Sequence, residues 1–377
     1  MRVALVHDYL NEFGGAERVL LALSEMFPDA PIYTAFYVED SLAYSRFKDK
    51  DIRPSWAQKV PFFKEKLHSP LRFLAPLIWE SFDFDEYDLV ISSASWYITK
   101  GILTRPETLH ICYCHTPPRY LYGFQTAMDW QKNWFIRQYA RFVNPGMREY
   151  DYLAAQRVDE FIANSVNTQK RIEKFYRRDS RVIYPPIEIE QQVTSKQHRA
   201  DYYLVIARLV GGKGLPLVVE AANRARVPVK IVGAAPEGWS DEHERVKEMA
   251  GGTVEFTGYV EDSELVELYA GAKAFLALAE NEDFGMTVVE AMMAGTPVIA
   301  YRGGGYLETV VEGKTGVFVE ELSAEAVTQA MEKIEKKDWD AKAIKKHASK
   351  FSKDRFVREV RGFVEAKYKE HKTKLRL

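Results

Sequence analysis

The sequence predicts an α/β protein of two domains, two α/β sandwiches facing across a cleft. Length is the first observation: 377 residues exceed one ordinary hydrophobic core and suit two. The second is a repeated pattern. An apolar strand over Arg2–Val6 runs through His7-Asp8-Tyr9-Leu10 into a loop ending at Gly14-Gly15, then a helix with Val19, Leu20, Leu23 and Phe27 on its inner face. Strand and glycine loop begin again at Tyr202–Ala207, followed by Gly211-Gly212-Lys213-Gly214. The third observation is the polar stretch 186–199, which has no convincing period and reads as a linker. The domains are therefore expected at 1–185 and 200–350. A last amphipathic helix within 351–377 is marked by Phe356, Val357, Val360, Phe363 and Val364.

Net charge is close to balanced at −2, so composition does not make the molecule a nucleic-acid binder. Its two cysteines, Cys112 and Cys114, alternate along a strand, where i,i+2 neighbours rarely bridge; a reducing cytoplasm is the expected compartment. The apolar run Met1–Val6 is too short for a signal peptide, and no run approaches the roughly 18 residues of a membrane span. Residues 53–79 change character. Arg53, Lys59, Lys64, Lys66 and Arg72 alternate with Trp56, Phe62, Phe63, Leu67, Phe73, Leu74 and Trp79. A similar mixture recurs over 130–142, with Trp130, Lys132, Trp134, Phe135, Arg137, Tyr139, Arg141 and Phe142. On amphipathic helices such segments suit an anionic membrane surface, hence a peripheral position on the inner face of the cell membrane. Aromatics in a core with solvated bases would read the same way.

Further strands of the first domain are expected at Pro31–Phe36, Asp88–Ser93 and Leu109–Cys114. The last delivers His115-Thr116-Pro117-Pro118 at its carboxyl end, where open α/β sheets place ligands. A histidine before such a turn also fits a structural hydrogen-bonding role. Gly14-Gly15 before a helix is a phosphate-cradling order, although a plain turn has it too. The dinucleotide fingerprint is absent, since Gly14-Gly15-Ala16-Glu17-Arg18 is not G-x-G-x-x-G.

In the second domain Arg208 and Lys213 flank a glycine loop at a strand end, a planar fork and a point charge suited to a diphosphate. This is not a P-loop, because Gly214 follows Lys213. The stretch Leu278–Arg302, LAENEDFGMTVVEAMMAGTPVIAYR, reads as loop, helix, turn and strand. Glu282 and Glu290 are eight positions apart, slightly over two helical turns, so both carboxylates can face one cleft. Asp283-Phe284-Gly285 forms a turn whose glycine admits close backbone approach to a ligand. The helix from about Met286 to Ala294 then opens with free N–H groups and a positive dipole end. Gly295-Thr296-Pro297 ends it, Val298-Ile299-Ala300 returns as a strand, and Gly303-Gly304-Gly305 is expected to loosen the loop beyond. Carboxylates able to grip sugar or ribose hydroxyls, beside amides able to grip phosphate, point to a nucleotide-sugar site. Two solvated glutamates on an ordinary helix would share the spacing.

Glu-x7-Glu ahead of Ala-x-x-x-Gly-x-Pro-Val resembles the retaining glycosyltransferases of group 1, or family 4, with the GT-B fold of two Rossmann-like α/β/α domains. The run CYCHTPPRYLY is similar to the HTP segment of bacterial mannosyltransferases in that family. The resemblance implies a role for each matching position. Gly14 and Gly15 would face the donor diphosphate, and Arg208 and Lys213 would hold its phosphates. Gly233, Tyr259 and Val260 would hold the base, largely through backbone groups. Glu282 would be catalytic, orienting sugar hydroxyls with the help of the turn Asp283, Phe284 and Gly285, while Met286 and Thr287 would offer the helix N-terminus and Glu290 would take the ribose. His115 would be catalytic, beside the reacting carbon and donating hydrogen bonds to the sugar. No cofactor and no metal are expected. The donor would be a nucleotide-diphosphate sugar, GDP-mannose first. The acceptor would be a glycan or a polyprenyl-diphosphate-linked glycan, and the closing helix would cross back to the first domain.

Two D-x-D runs are set aside. Asp83-Phe84-Asp85 lies before a strand beside Glu86 and Asp88, and Asp338-Trp339-Asp340 sits among surface lysines. The eight histidines show no metal-ligand spacing. Three other classes stay open. A nucleotide-sugar epimerase of the same architecture would convert a donor without acceptor, a dinucleotide-dependent dehydrogenase would need the missing fingerprint, and a non-catalytic nucleotide-sugar-binding protein would bind without turnover.

Overall fold

Two all-parallel sheets, one in each of two units, organise the chain. The computed structural model describes residues 1–126, 133–189, 200–234 and 240–375. The first unit gathers Met1–Phe124, Gln131–Pro186 and Lys353–Leu377; the second gathers Gln125–Trp130 and Ile187–Ser352. Of the expected linker, 190–199 lies outside the described residues.

In the first unit the strands are β1 (Val3–His7), β2 (Ile32–Thr34), β3 (Ile52–Pro54), β4 (Leu89–Ala94), β5 (Leu109–Cys114), β6 (Glu160–Ala163) and β7 (Arg181–Val182). They form a seven-stranded sheet in the order β3-β2-β1-β4-β5-β6-β7. Central strands such as Ala4-Leu5-Val6 are apolar on both faces because both faces are covered. One face packs Val19, Leu20 and Leu23 of the helix Gly15–Met26 together with Phe356, Val360 and Val364. Those last three recur every fourth residue along the helix Lys353–Lys374, so a single stripe returns the chain's end to the first unit. The other face packs Phe36, Phe63, Trp79 and Tyr97. Strand β3 escapes a sequence reading because of Pro54, which lacks an N–H and is tolerated at a sheet edge.

The expectation of amphipathic helices over 53–79 is corrected. The segment is broken into 3-10 turns at Trp56–Lys59 and Arg72–Leu74, a π turn at Phe63–Leu67 and a short α-helix at Ala75–Trp79. Two of its five bases are structural. Arg53 donates to the Tyr33 and Tyr87 hydroxyls at 2.8 and 3.0 Å, and buried Arg72 donates to Asn144 Oδ1 at 2.9 Å. Trp130 and Lys132 lie outside the described residues. The helix Trp134–Arg157 is continuous, and Trp134, Phe135 and Phe142 stand exposed on it.

The second unit has β8 (Tyr203–Ile206), β9 (Val229–Val232), β10 (Val254–Gly258), β11 (Ala274–Ala277), β12 (Val298–Tyr301) and β13 (Gly316–Val319), in the order β10-β9-β8-β11-β12-β13. Its core joins Tyr203, Val205, Ile231, Leu276 and Ile299 to the inner faces of the helices Leu215–Ala225 and Ala324–Glu335. In both sheets strand order reverses once, between β1 and β4 and between β8 and β11. At such a reversal neighbouring connections leave toward opposite faces and open a crevice at the strands' carboxyl ends.

Candidate active site

The switch point of the second sheet brings two of the predicted residues together. Lys213 follows β8 and Glu282 follows β11; Nζ donates to Oε2 at 3.0 Å. The pairing depends on glycine. Gly214 has φ +72°, and a Cβ there would lie 2.7 Å from the Leu278 carbonyl oxygen, so only glycine lets the β8 loop press against the end of β11. On the far side, a Cβ on Gly304 would lie 2.3 Å from the Glu282 carbonyl oxygen, and the Gly305 amide donates to that oxygen at 2.9 Å. Gly303-Gly304-Gly305 therefore does not loosen its loop. It forms the floor on which the Glu282 loop is fixed.

Phe284 is buried, with its ring 5.5 Å from that of Phe351. Gly285, at φ +89°, caps the helix Met286–Met293. The positive dipole end and the first amides, on Met286 and Thr287, thus follow directly on the Asp283–Gly285 turn, at the sheet edge that carries Lys213. The two-turn argument for the glutamates is corrected, because Glu282 lies in the loop and only Glu290 is helical. Glu290 is 3 % exposed, and its Oε2 accepts from the Tyr269 hydroxyl at 2.7 Å. Arg208 is exposed at the start of its loop. Gly233, at φ +135°, lies where a Cβ would be 2.1 Å from the Ala207 carbonyl oxygen, which makes it a packing glycine between β9 and β8. Exposed Tyr259 and buried Val260 follow β10 on the same carboxyl edge.

The first unit builds a polar cluster at its own switch point. His7 and Ser93 are register partners on β1 and β4, and His115 follows β5. His115 Nε2 lies 2.8 Å from Ser93 Oγ, Ser93 Oγ lies 3.1 Å from His7 Nδ1, and His7 Nε2 lies 3.2 Å from Glu17 Oε1. The Gly14 amide donates to Glu17 Oε2 at 2.8 Å, so the Gly14-Gly15 turn is fixed by the helix it starts. Burial pushes His115 down to about 3, with nearby His7 adding to the shift, so its imidazole is neutral at physiological pH. Burial raises the Glu17 carboxyl, but the bonds from His7 and Gly14 outweigh it and hold the group below its ordinary value. Neighbouring Asp8 accepts from the Trp96 and Tyr97 amides at 2.6 and 3.1 Å and from the Thr99 hydroxyl, which fixes the loop after β4.

Residues 13–191 match the family model described as Glycosyltransferase Family 4, and residues 186–351 match Glycosyl transferases group 1. The chain belongs to the group 1, family 4 glycosyltransferases. Mouse alpha-1,3/1,6-mannosyltransferase ALG2 is 25% identical to this glycosyltransferase over 85% of the chain and 84% of its own length. A Xenopus laevis GDP-Man:Man(3)GlcNAc(2)-PP-Dol alpha-1,2-mannosyltransferase is 26% identical over 88% of the chain and 79% of its own. Other matches are partial: the chain spans 30% of the length of mannosylfructose-phosphate synthase from Agrobacterium fabrum and 50% of a D-inositol 3-phosphate glycosyltransferase from Geodermatophilus obscurus. Among solved structures, Anabaena HepE in complex with UDP and glucose superimposes with a TM-score of 0.71 at 19% identity, covering 97% of this chain and 99% of that one. Sucrose-phosphate synthase from Thermosynechococcus elongatus gives 0.72 at 16% identity, covering 98% and 100%. These establish the GT-B fold.

Three aspartates of the two D-x-D runs have partners of their own. Asp83 Oδ1 accepts from the Asp85 amide at 2.8 Å and Asp85 pairs with Arg105, while Asp340 caps a helix through the Lys342 and Ala343 amides at 2.9 and 3.1 Å. Among the described residues, no helix is long and apolar enough to cross a membrane. Sequence reasoning missed His7, Glu17, Ser93 and Tyr269. The signal for the first three was a polar residue at the carboxyl end of an otherwise apolar strand, plus an acid in the first turn after Gly14-Gly15.

Proposed function

We propose that this glycosyltransferase moves a hexose, mannose first, from a nucleotide-diphosphate sugar to a glycan or lipid-linked acceptor in polysaccharide biosynthesis, retaining the anomeric configuration and using no metal. The observation that carries the reading is the Lys213–Glu282 pair at the second switch point, beside the Gly285-capped helix start. Lys213, Arg208 and the Met286 and Thr287 amides supply positive charge for the leaving diphosphate, the task a cation performs elsewhere. Glu282 grips sugar hydroxyls, and Glu290, oriented by Tyr269, takes the ribose. Gly233, Tyr259 and Val260 hold the base. In the first unit, Gly14 and Gly15 serve the diphosphate and His115 the sugar. The mannosyltransferase relatives support mannose, and the Xenopus enzyme's GDP-Man supports GDP-mannose as donor.

Thermal shift against a panel of nucleotide-sugars tests the donor. GDP-mannose at 100 times its Kd is expected to add about 2.7 kcal/mol of stability, with hexose transferred only when acceptor is present. No shift with any nucleotide-sugar would overturn the reading, and conversion of donor without acceptor would replace it by epimerisation.

We also propose that the first unit lies on the inner face of the cytoplasmic membrane. Phe135 and Phe142, seven residues apart on one helix face, are 76% and 81% exposed, and Phe62 is 69% exposed. Lys59 and Lys66 are exposed as well. Reversing Lys59, Lys64 and Lys66 to glutamate is expected to weaken sedimentation with anionic liposomes, each base contributing about 1 kcal/mol near the surface. Unchanged sedimentation would remove the membrane surface.

A further inference from the structure

The cluster Glu17–His7–Ser93–His115 has a direction that its donors and acceptors fix. Glu17, ionised, can only accept. One oxygen is taken by the Gly14 amide and the other faces His7 Nε2, so that nitrogen carries a proton. His7 is 1 % exposed, and with its one proton on Nε2 its Nδ1 accepts from the Ser93 hydroxyl, the order serine, imidazole, carboxylate. Ser93 therefore donates its single proton to His7 Nδ1, and its oxygen is left to accept from His115 Nε2. Ser93 is fully buried with its oxygen engaged on both sides, which excludes a nucleophilic serine. Among the described residues His115 Nδ1 makes no hydrogen bond, while the His115 carbonyl accepts from Thr168 at 3.1 Å and holds the backbone.

We propose that Glu17, His7 and Ser93 are positioning residues that hold His115 as its Nε2–H tautomer, so that Nδ1 meets the donor sugar as a hydrogen-bond acceptor. This rests on His115 serving the sugar, and it reverses the hydrogen-bond direction that the resemblance implies for the ring. The charged and titratable groups facing His7 are Glu17, Asp8 and His115. A second proton on His7, at Nδ1, would leave its bond to Glu17 as it is but reverse both bonds of Ser93 and place the His115 proton on Nδ1.

The test is two-bond ¹H–¹⁵N correlation of the histidine rings in the full chain at neutral pH, with Glu17→Gln and Ser93→Ala. The parent is expected to show His115 protonated at Nε2. In Glu17→Gln, the amide oxygen keeps the Gly14 N–H and the amide NH₂ donates to His7, so the chain reverses and the His115 proton moves to Nδ1. Ser93→Ala is expected to leave a mixture of tautomers, and it keeps the test decisive should Glu17→Gln fold poorly. Turnover of Glu17→Gln is expected to fall roughly ten- to a hundredfold, the range for partners that orient a histidine, with KM for the donor little changed. A parent ring protonated at Nδ1, a Glu17→Gln spectrum like the parent's, or unchanged turnover in that variant would each overturn the proposal. If His115→Ala itself kept full turnover, the failure would be that of the sugar-contact reading, and the tautomer spectra would still be decided.

Discussion

Lys213→Ala is expected to lower turnover of the nucleotide-sugar about a hundred- to thousandfold while leaving the melting temperature close to the parent's. The two halves of this expectation have different physics. Lys213 and Glu282 are 30% and 19% exposed at their side chains, and a partly solvated ion pair contributes only about 0–1 kcal/mol to folding. The loop does not rely on the pair, since Gly214 against Leu278 and Gly305 against Glu282 already fix the backbone. Charge on a departing diphosphate is another matter. A donor aimed at charge that develops only in the transition state contributes about 2.7–4 kcal/mol, which appears in kcat. Glu282→Ala is expected to fall by a similar factor, because the ammonium loses its anchor and the sugar its acceptor. Lys213→Arg is not expected to rescue, a planar fork being a poor substitute for a point charge in this loop. The measurement is initial rate of hexose transfer with saturating donor, alongside thermal melting. Parent-like rates for Lys213→Ala would make the pair structural and remove the assignment.

How far the sequence reached follows from the same loops. Parallel strands buried on both faces write themselves as unbroken apolar runs, so β5 and β8 are found where the runs predict them, and Phe356, Val360 and Val364 mark the closing helix by their spacing alone. Strand-end loops were legible as glycine and charge. What each glycine does was not. Gly303-Gly304-Gly305 looks like slack in one dimension and becomes a tight floor only when Glu282, more than twenty residues earlier, is laid on it. Helical spacing was the wrong measure for Glu282, which stands in the loop ahead of a helix that begins, as expected, at Met286. Interleaved Arg53 and Arg72 read as a solvated basic face, yet each is spent on a partner distant in sequence. The His7–Ser93 contact joins residues 86 apart and is created by strand register, which no local pattern encodes.

Asp151→Ala is expected to cost about 3–5 kcal/mol of stability in the first unit, read as a lowered denaturation midpoint. Asp151 is fully buried in the helix Trp134–Arg157, and Lys100, 1 % exposed, reaches it from the turn after β4. Tyr122 donates to the other carboxylate oxygen at 2.7 Å, and the Tyr176 ring lies 4.6 Å from the ammonium. Removing the carboxylate leaves a cation buried away from solvent without its counter-charge, which is where most of the loss arises. A paired replacement separates this from packing. Lys100→Met with Asp151→Leu removes both charges at similar volume and is expected to recover most of the stability, since the half-buried Tyr122 hydroxyl can turn to solvent. Activity should not recover with it to the same degree. Lys100 adjoins Thr99, whose hydroxyl holds Asp8, and Asp8 holds the loop leading from Ser93. Loosening that turn lets the His115 support drift by fractions of an ångström, tolerable for folding and costly for a group that must meet a reacting sugar. Equal recovery of stability and turnover in the double variant would show instead that the buried pair serves the fold alone.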